Sequence, residues 1–97
     1  MAELNEVIHQ TVRLRIVAAL AALDADARVD FTYLRNLLKL SDGNLGAHLL
    51  KLEEAGYLMQ EKTFVDRKPR TYLQLTSQGR AAFQEHVQAL KDILGNG

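Results

Sequence analysis

Apolar positions along this chain recur at two spacings, helical over most of its length and alternating over two short stretches. Leu4, Val7 and Ile8 share one helical face within a short lead over residues 1–10. The run VRLRIVAALAAL follows, with Val12, Ile16, Ala19, Leu20 and Leu23 at helical intervals and an alanine content that favours helix. Thr11 is the expected N-cap, its hydroxyl accepting from an early backbone N–H. Polar residues 24–28 interrupt the pattern, and Val29 and Phe31 flank Asp30 in the alternation of one short strand.

A second helix is expected over residues 32–39, with Leu34, Leu37 and Leu38 apolar and either Asp30 or Thr32 as its cap. Leu40 to Gly43 forms a tight turn, and Ser41 caps a third helix from Asp42 to Ala55. Leu45, Leu49 and Leu52 mark its core face, and Gly56 its left-handed stop. Tyr57 to Phe64 and Thr71 to Leu75 read as strands, with Thr71, Leu73 and Leu75 on one face. Val65 to Pro69 is the connecting loop, and it holds the chain's sole proline. Thr76 caps a last helix ending near Leu94, followed by a frayed tail from Gly95 to Gly97.

The order is helix, short strand, helix, helix, strand, strand, helix. That is a mostly α, α+β chain: a helix-turn-helix followed by a hairpin wing, a winged helix built as one domain over residues 1–97. A chain of 97 residues has no room for a second core.

Charge adds a local feature to a neutral whole. Twelve basic and twelve acidic residues cancel, which argues against a generally basic nucleic-acid binder. Lys62, Arg67, Lys68 and Arg70 nevertheless fall close together, opposed nearby only by Asp66. With no cysteine, disulfides and thiolate metal sites are excluded. Glu3 and Glu6 precede any apolar run, the wrong charge for a signal peptide, and no run approaches the ~20 residues of a membrane span. The expected location is the cytoplasm, with no membrane partner.

Chemistry concentrates on the third helix and the hairpin. The polar face of the helix presents Gly43, Asn44, Ala47, His48 and Lys51, with Ser41 at its start. Asn44 suits adenine N6 and N7 or a phosphate, Lys51 a phosphate or guanine, and His48 donates to a phosphate or base acceptor. Gly43 and Ala47 permit close approach, and Asp42 suits the positive end of the helix dipole. Arg67, Lys68 and Arg70 suit backbone phosphates or a minor-groove edge. The competing reading makes these a solvated helix face and a charged hairpin tip that resists edge pairing; the position of the cations directly after a helix-turn-helix favours double-stranded DNA. No nucleophile–base–acid set is present, and Gly43 and Gly46 are not a nucleotide fingerprint, so no enzyme and no cofactor is expected. The histidines are far apart in sequence, no metal site is expected, and His86 reads as a surface or dimer-face residue.

Three segments resemble known regulators. Residues 8–16 (IHQTVRLRI) resemble the opening helix of ArsR-type regulators, and residues 45–58 (LGAHLLKLEEAGYL) their recognition helix and its exit. Residues 75–80 (LTSQGR) are similar to the start of the last helix in MarR-type proteins. The resemblance spans residues 7–94 and implies a stand-alone winged-helix transcriptional regulator, a repressor whose third helix enters the major groove. Gly46 and Ala47 depart from the Ser or Arg frequent in that family, and without cysteines its metal sensing does not carry over.

In the last helix Phe83, Val87, Leu90 and Leu94 form a stripe, with Ala82, Ala89 and Ile93 beside it. So broad a stripe invites a partner, and a homodimer is expected through these four residues with Leu4, Val7 and Ile8. A two-fold dimer would set two recognition helices one duplex turn, ~34–36 Å, apart on a palindromic site. No separate effector domain is expected, so a small-molecule signal would act at the dimer interface or within this fold. The alternative function is a winged-helix protein-interaction module that binds no duplex.

Overall fold

Capping residues set where each helix begins. In the computed structural model, which describes residues 4–95, the lead contains a single-turn helix α1, Glu6–His9, capped by the Asn5 side chain on the N–H groups of Val7 and Ile8. Gln10 is extended, ends that turn, and caps α2, Thr11–Ala21, through its side-chain oxygen on the Arg13 N–H. The cap is thus Gln10, and Thr11 is the first helical residue: the amide oxygen reaches the N–H that the threonine hydroxyl was expected to satisfy. α2 stops at Ala21 and leaves Leu23 36% exposed, because the Arg80 guanidinium donates to the carbonyls of Ala21, Leu23 and Asp24 and closes the helix end.

β1 is Val29–Asp30. Phe31, expected in that strand, opens α3, Phe31–Leu38, and of the two open choices Asp30 is the cap, its carboxylate accepting from the Tyr33 N–H at 3.2 Å. Lys39 takes a left-handed conformation (φ 58°) and turns the chain toward Ser41. Ser41 caps α4, Asp42–Glu54, with its hydroxyl oxygen 3.1 Å from the Asn44 nitrogen. Leu45, Leu49 and Leu52 are fully buried, each contributing roughly 1.5–3 kcal/mol. They join Ile16, Val17, Leu20, Leu34, Leu38, Leu58, Leu73 and Leu75 in one core.

Gly56 (φ 83°) ends α4 as expected and turns the chain into β2, Leu58–Val65. β3, Lys68–Leu75, pairs antiparallel with it from Leu58 opposite Leu75 to Val65 opposite Lys68. The five-residue loop expected at Val65–Pro69 is therefore a two-residue turn. Asp66 and Arg67 both have positive φ, 52° and 67°, the geometry that follows the natural twist of a hairpin. Pro69 sits within β3 opposite Phe64, beyond the reach of β1, so its missing N–H faces an open edge. The sheet order is β1-β3-β2.

α5, Ser77–Gly95, starts where the Thr76 hydroxyl accepts from the Gly79 N–H and donates to the Gly56 carbonyl. A Cβ on Gly79 would lie 2.1 Å from the Tyr57 carbonyl oxygen, so only glycine lets α5 meet the exit of α4 so closely. The stripe that α5 buries is Gly79, Ala82, His86 and Ala89. Small residues let the helix approach the body, and the larger stripe expected at a dimer face lies along its flank: Phe83 packs on the core, Val87 and Leu90 are half-buried, and Leu94 is 83% exposed. Gly95 is still helical; Asn96 and Gly97 of the expected tail, and residues 1–3 of the lead, lie outside the described residues.

His86 is the clearest departure. Expected at the surface or on a dimer face, it is fully buried within the single chain. Its Nδ1 accepts from the Asn5 backbone N–H at 3.2 Å, and its Nε2 has no partner. Burial lowers its pKa, and the nearby His9, ring centroids 5.5 Å apart, lowers it further. Ile8, expected at a dimer face, is likewise enclosed within the single chain.

Candidate nucleic-acid interface

With Leu45, Leu49 and Leu52 inward, α4 has three outer aspects. Gly43, Ala47 and Glu54 point away from the body, and all are exposed. Asn44, His48 and Lys51 form the flank nearest α2, where an Arg13 Nη1 lies 3.3 Å from His48 Nδ1. Gly46, Leu50 and Glu53 form the other flank, facing the wing across an open trough of about 700 Å³ that Phe31, Gln60, Lys62 and Thr71 complete. Gln60 bridges the base of the trough by donating to the Glu53 carboxylate at 3.3 Å.

The turn chemistry of the helix-turn-helix occupies some of the expected groups. Ser41 holds the Asn44 N–H, and Asp42 is ion-paired with Arg35 at 2.6 Å, which offsets the negative charge at the start of α4. Asn44 and Lys51 make no side-chain hydrogen bond among the described residues and are exposed. A Cβ on Gly43 or Gly46 would meet nothing within 4 Å, so internal packing does not require glycine at either place.

The hairpin register separates the wing cations. Strand alternation puts Gln60, Lys62 and Phe64 on the trough side with Thr71 and Pro69. Lys68 and Arg70 share the other side with Tyr72, and Arg70 lies 3.9 Å from the Asp30 carboxylate there. Arg67 occupies the turn itself. In the sequence the four cations form one cluster. In the fold Lys62 faces α4, Arg67 stands at the tip, and Lys68 and Arg70 lie on the reverse face.

Arginines elsewhere are engaged internally. Arg13 also donates to the Val7 carbonyl, Arg15 donates to the Leu38 carbonyl at 2.7 Å, and Arg28 pairs with Glu61 while stacking 4.2 Å over the Tyr72 ring. With Arg35 on Asp42 and Arg80 on the end of α2, the cations without a side-chain partner among the described residues are Lys39, Lys51, Lys62, Arg67, Lys68 and Lys91. All but Lys91 belong to the turn before α4, α4 itself or the wing. These cations share their elements with the exposed carboxylates of Glu53, Glu54 and Asp66. No sequence rule assigned Arg13, Arg15 or Arg80 to structural work; their partners are main-chain carbonyls or a distant ring.

Among the described residues no group of three or more His, Asp or Glu is placed to hold a metal, and no helix is long and apolar enough to cross a membrane. The hollow beside Arg28 and Tyr72 measures about 60 Å³, well below the ~300 Å³ lower bound of small-molecule pockets.

Residues 12–94 match a family model described as winged helix DNA-binding domain. An uncharacterized protein, MJ0432, from Methanocaldococcus jannaschii is 33% identical over 91 residues, covering 94% of this chain and 96% of its own. A transcriptional regulator homologue from Pyrococcus horikoshii OT3 superposes with a TM-score of 0.83 at 28% identity, over 93% of this chain and 86% of that one. A possible transcriptional regulator from Methanosarcina mazei Go1, 23% identical, shares the fold with a TM-score of 0.65 over 92% and 76% of the two chains.

Proposed function

The chain belongs to the winged helix DNA-binding domain family, and on that premise we propose that it is a dimeric transcriptional repressor that reads double-stranded DNA with α4 and the wing. The observation that carries this reading is the segregation of unpartnered cations onto the turn, α4 and the wing. In this reading the outward face of α4 enters the major groove. Gly43 and Ala47 allow the approach, Asn44 reaches a base edge, and His48 and Lys51 on the flank meet one phosphate strand. Lys39, Lys62 and Arg67 hold backbone on either side, and Ser41 adds a hydroxyl at the helix start. Lys68 and Arg70, on the reverse of the wing, act at longer range or on the outer strand.

The dimer rests on the flank of α5. Val87 and Leu90 are only half-buried, and Ile93 and Leu94 are 64% and 83% exposed, beside Phe83 and, at the other end of the chain, Leu4 and Val7. Occupying a promoter needs nothing beyond this fold, which supports repression. No catalytic set accompanies the site, so the proposal includes no reaction.

Fluorescence anisotropy with a mixed-sequence duplex across a salt series tests the reading. Binding should appear at low salt and weaken steeply as salt rises. Replacing Lys62 and Arg67 by alanine together should flatten the log–log slope by about two units. A chain that binds no duplex at low salt would instead be a protein-interaction module.

A further inference from the structure

We propose that Arg13 is a positioning residue for DNA recognition: it holds the His48 ring so that its Nε2–H, and not Nδ1, is offered to a backbone phosphate. The inference rests on the DNA-binding reading of α4 and assigns a role to a residue of another helix. A guanidinium has only donors. At 3.3 Å from Arg13 Nη1, His48 Nδ1 must therefore be the acceptor, with its lone pair toward Arg13. The single proton of the neutral ring then resides on Nε2. Arg13 is itself fixed, because its Nε donates to the Val7 carbonyl at the end of the α1 turn and its backbone N–H is held by Gln10.

Arg13 is the charged group that meets His48 from α2. α1 contributes the Val7 carbonyl behind that guanidinium, and Asn44 and Lys51 lie one turn away on α4 itself. A second proton on the ring would set an N–H of the imidazolium against the N–H groups of Arg13. Partial burial and the Arg13 charge both lower the His48 pKa accordingly. His48 thus stays a neutral, oriented donor near neutral pH. It lies on the α2 flank of α4 and not on the outward face, which directs the donor at a phosphate and not at a base edge.

Two experiments test the assignment. Long-range ¹H–¹⁵N spectra of the DNA-free protein near neutral pH should show His48 protonated at Nε2 and bare at Nδ1. An Nδ1–H tautomer or a doubly protonated ring would overturn it, whatever the protein does with DNA. Duplex binding by R13M, H48A and the double variant, each confirmed folded by its thermal transition, gives the second test. Each single change should weaken binding about tenfold, equivalent to ~1.4 kcal/mol, and the double variant no further, because both remove one phosphate contact. In R13M the freed His48 should also take up a proton, so binding strengthens as pH falls through about 6.5, unlike the parent. Losses that add in the double variant, or an R13M pH profile parallel to the parent's, would make Arg13 an independent contact and defeat the proposal. Absence of binding by the unaltered protein would instead defeat the DNA reading and leave the tautomer result standing.

Discussion

Glycine within a helix costs about 1 kcal/mol relative to alanine, and Gly43 and Gly46 stand in α4 with nothing nearby to exclude a methyl group. Their use is best explained by what approaches from outside. Gly46→Ala should raise stability by about 1 kcal/mol and raise the thermal midpoint, yet weaken duplex binding; a stabilised variant with unaltered affinity would remove Gly46 from the interface. Gly79 is the opposite case. A methyl group there strikes the Tyr57 carbonyl, so Gly79→Ala should destabilise by about 3 kcal/mol in denaturant unfolding. Both sites are plain glycines in the sequence, and neither helix pattern distinguishes them. The difference lies in which main chain stands opposite, which only the tertiary arrangement supplies. Arg67, a non-glycine residue at φ 67°, was legible as a cation of the hairpin tip, whereas Lys68 belongs to β3 because the turn is shorter than the expected loop.

Elements were legible where one face is strongly apolar. Leu45, Leu49 and Leu52 fixed the orientation of α4, and Gly56 fixed its end, since periodicity and turn chemistry are local. α5 was legible as a helix but not in its facing. The large side chains marked a stripe wide enough for a partner, but which residues face the body was not legible: close packing selected Gly79, Ala82, His86 and Ala89. The knot around Asn5 was equally hidden. That residue caps α1, donates its side-chain amide to the Tyr57 hydroxyl at 2.8 Å, and gives its backbone N–H to His86, joining elements up to 81 positions apart in sequence. His86 carries a pH consequence. Its folded pKa is depressed by burial and by His9, so the unfolded chain binds the proton more readily. Stability is then full above the ordinary histidine value of about 6.5 and declines as pH falls below it. His48, depressed in the same direction, adds to the slope. Urea midpoints taken at several pH values should fall on acidification, and His86→Gln should flatten that fall; an unchanged slope would show that His86 does not titrate on unfolding.

At the scale of the molecule, the radius of gyration is 14.2 Å, above the ~12.5 Å of a compact chain of this length. The wing carries Lys62, Arg67 and Lys68, and the end of α5 carries the exposed Ile93 and Leu94. Replacing Leu90 and Leu94 by glutamate should convert a dimer to a monomer by light scattering while leaving the fold intact; a parent that already scatters as a monomer would remove the dimer. Net charge, the sequence property that most opposed DNA binding, does not report where the cations lie: internal partners hold Arg13, Arg15, Arg28, Arg35 and Arg80, and the cations left over gather on the turn before α4, α4 and the wing, Lys91 excepted. The central claim is that Lys39, Lys51, Lys62 and Arg67 mark one DNA-facing surface. Amide chemical-shift mapping on titration with a duplex tests it directly: the shifts should fall on Lys39–Lys51, Lys62 and the Asp66–Arg67 turn, and shifts confined to α5, or none at low salt, would contradict the account.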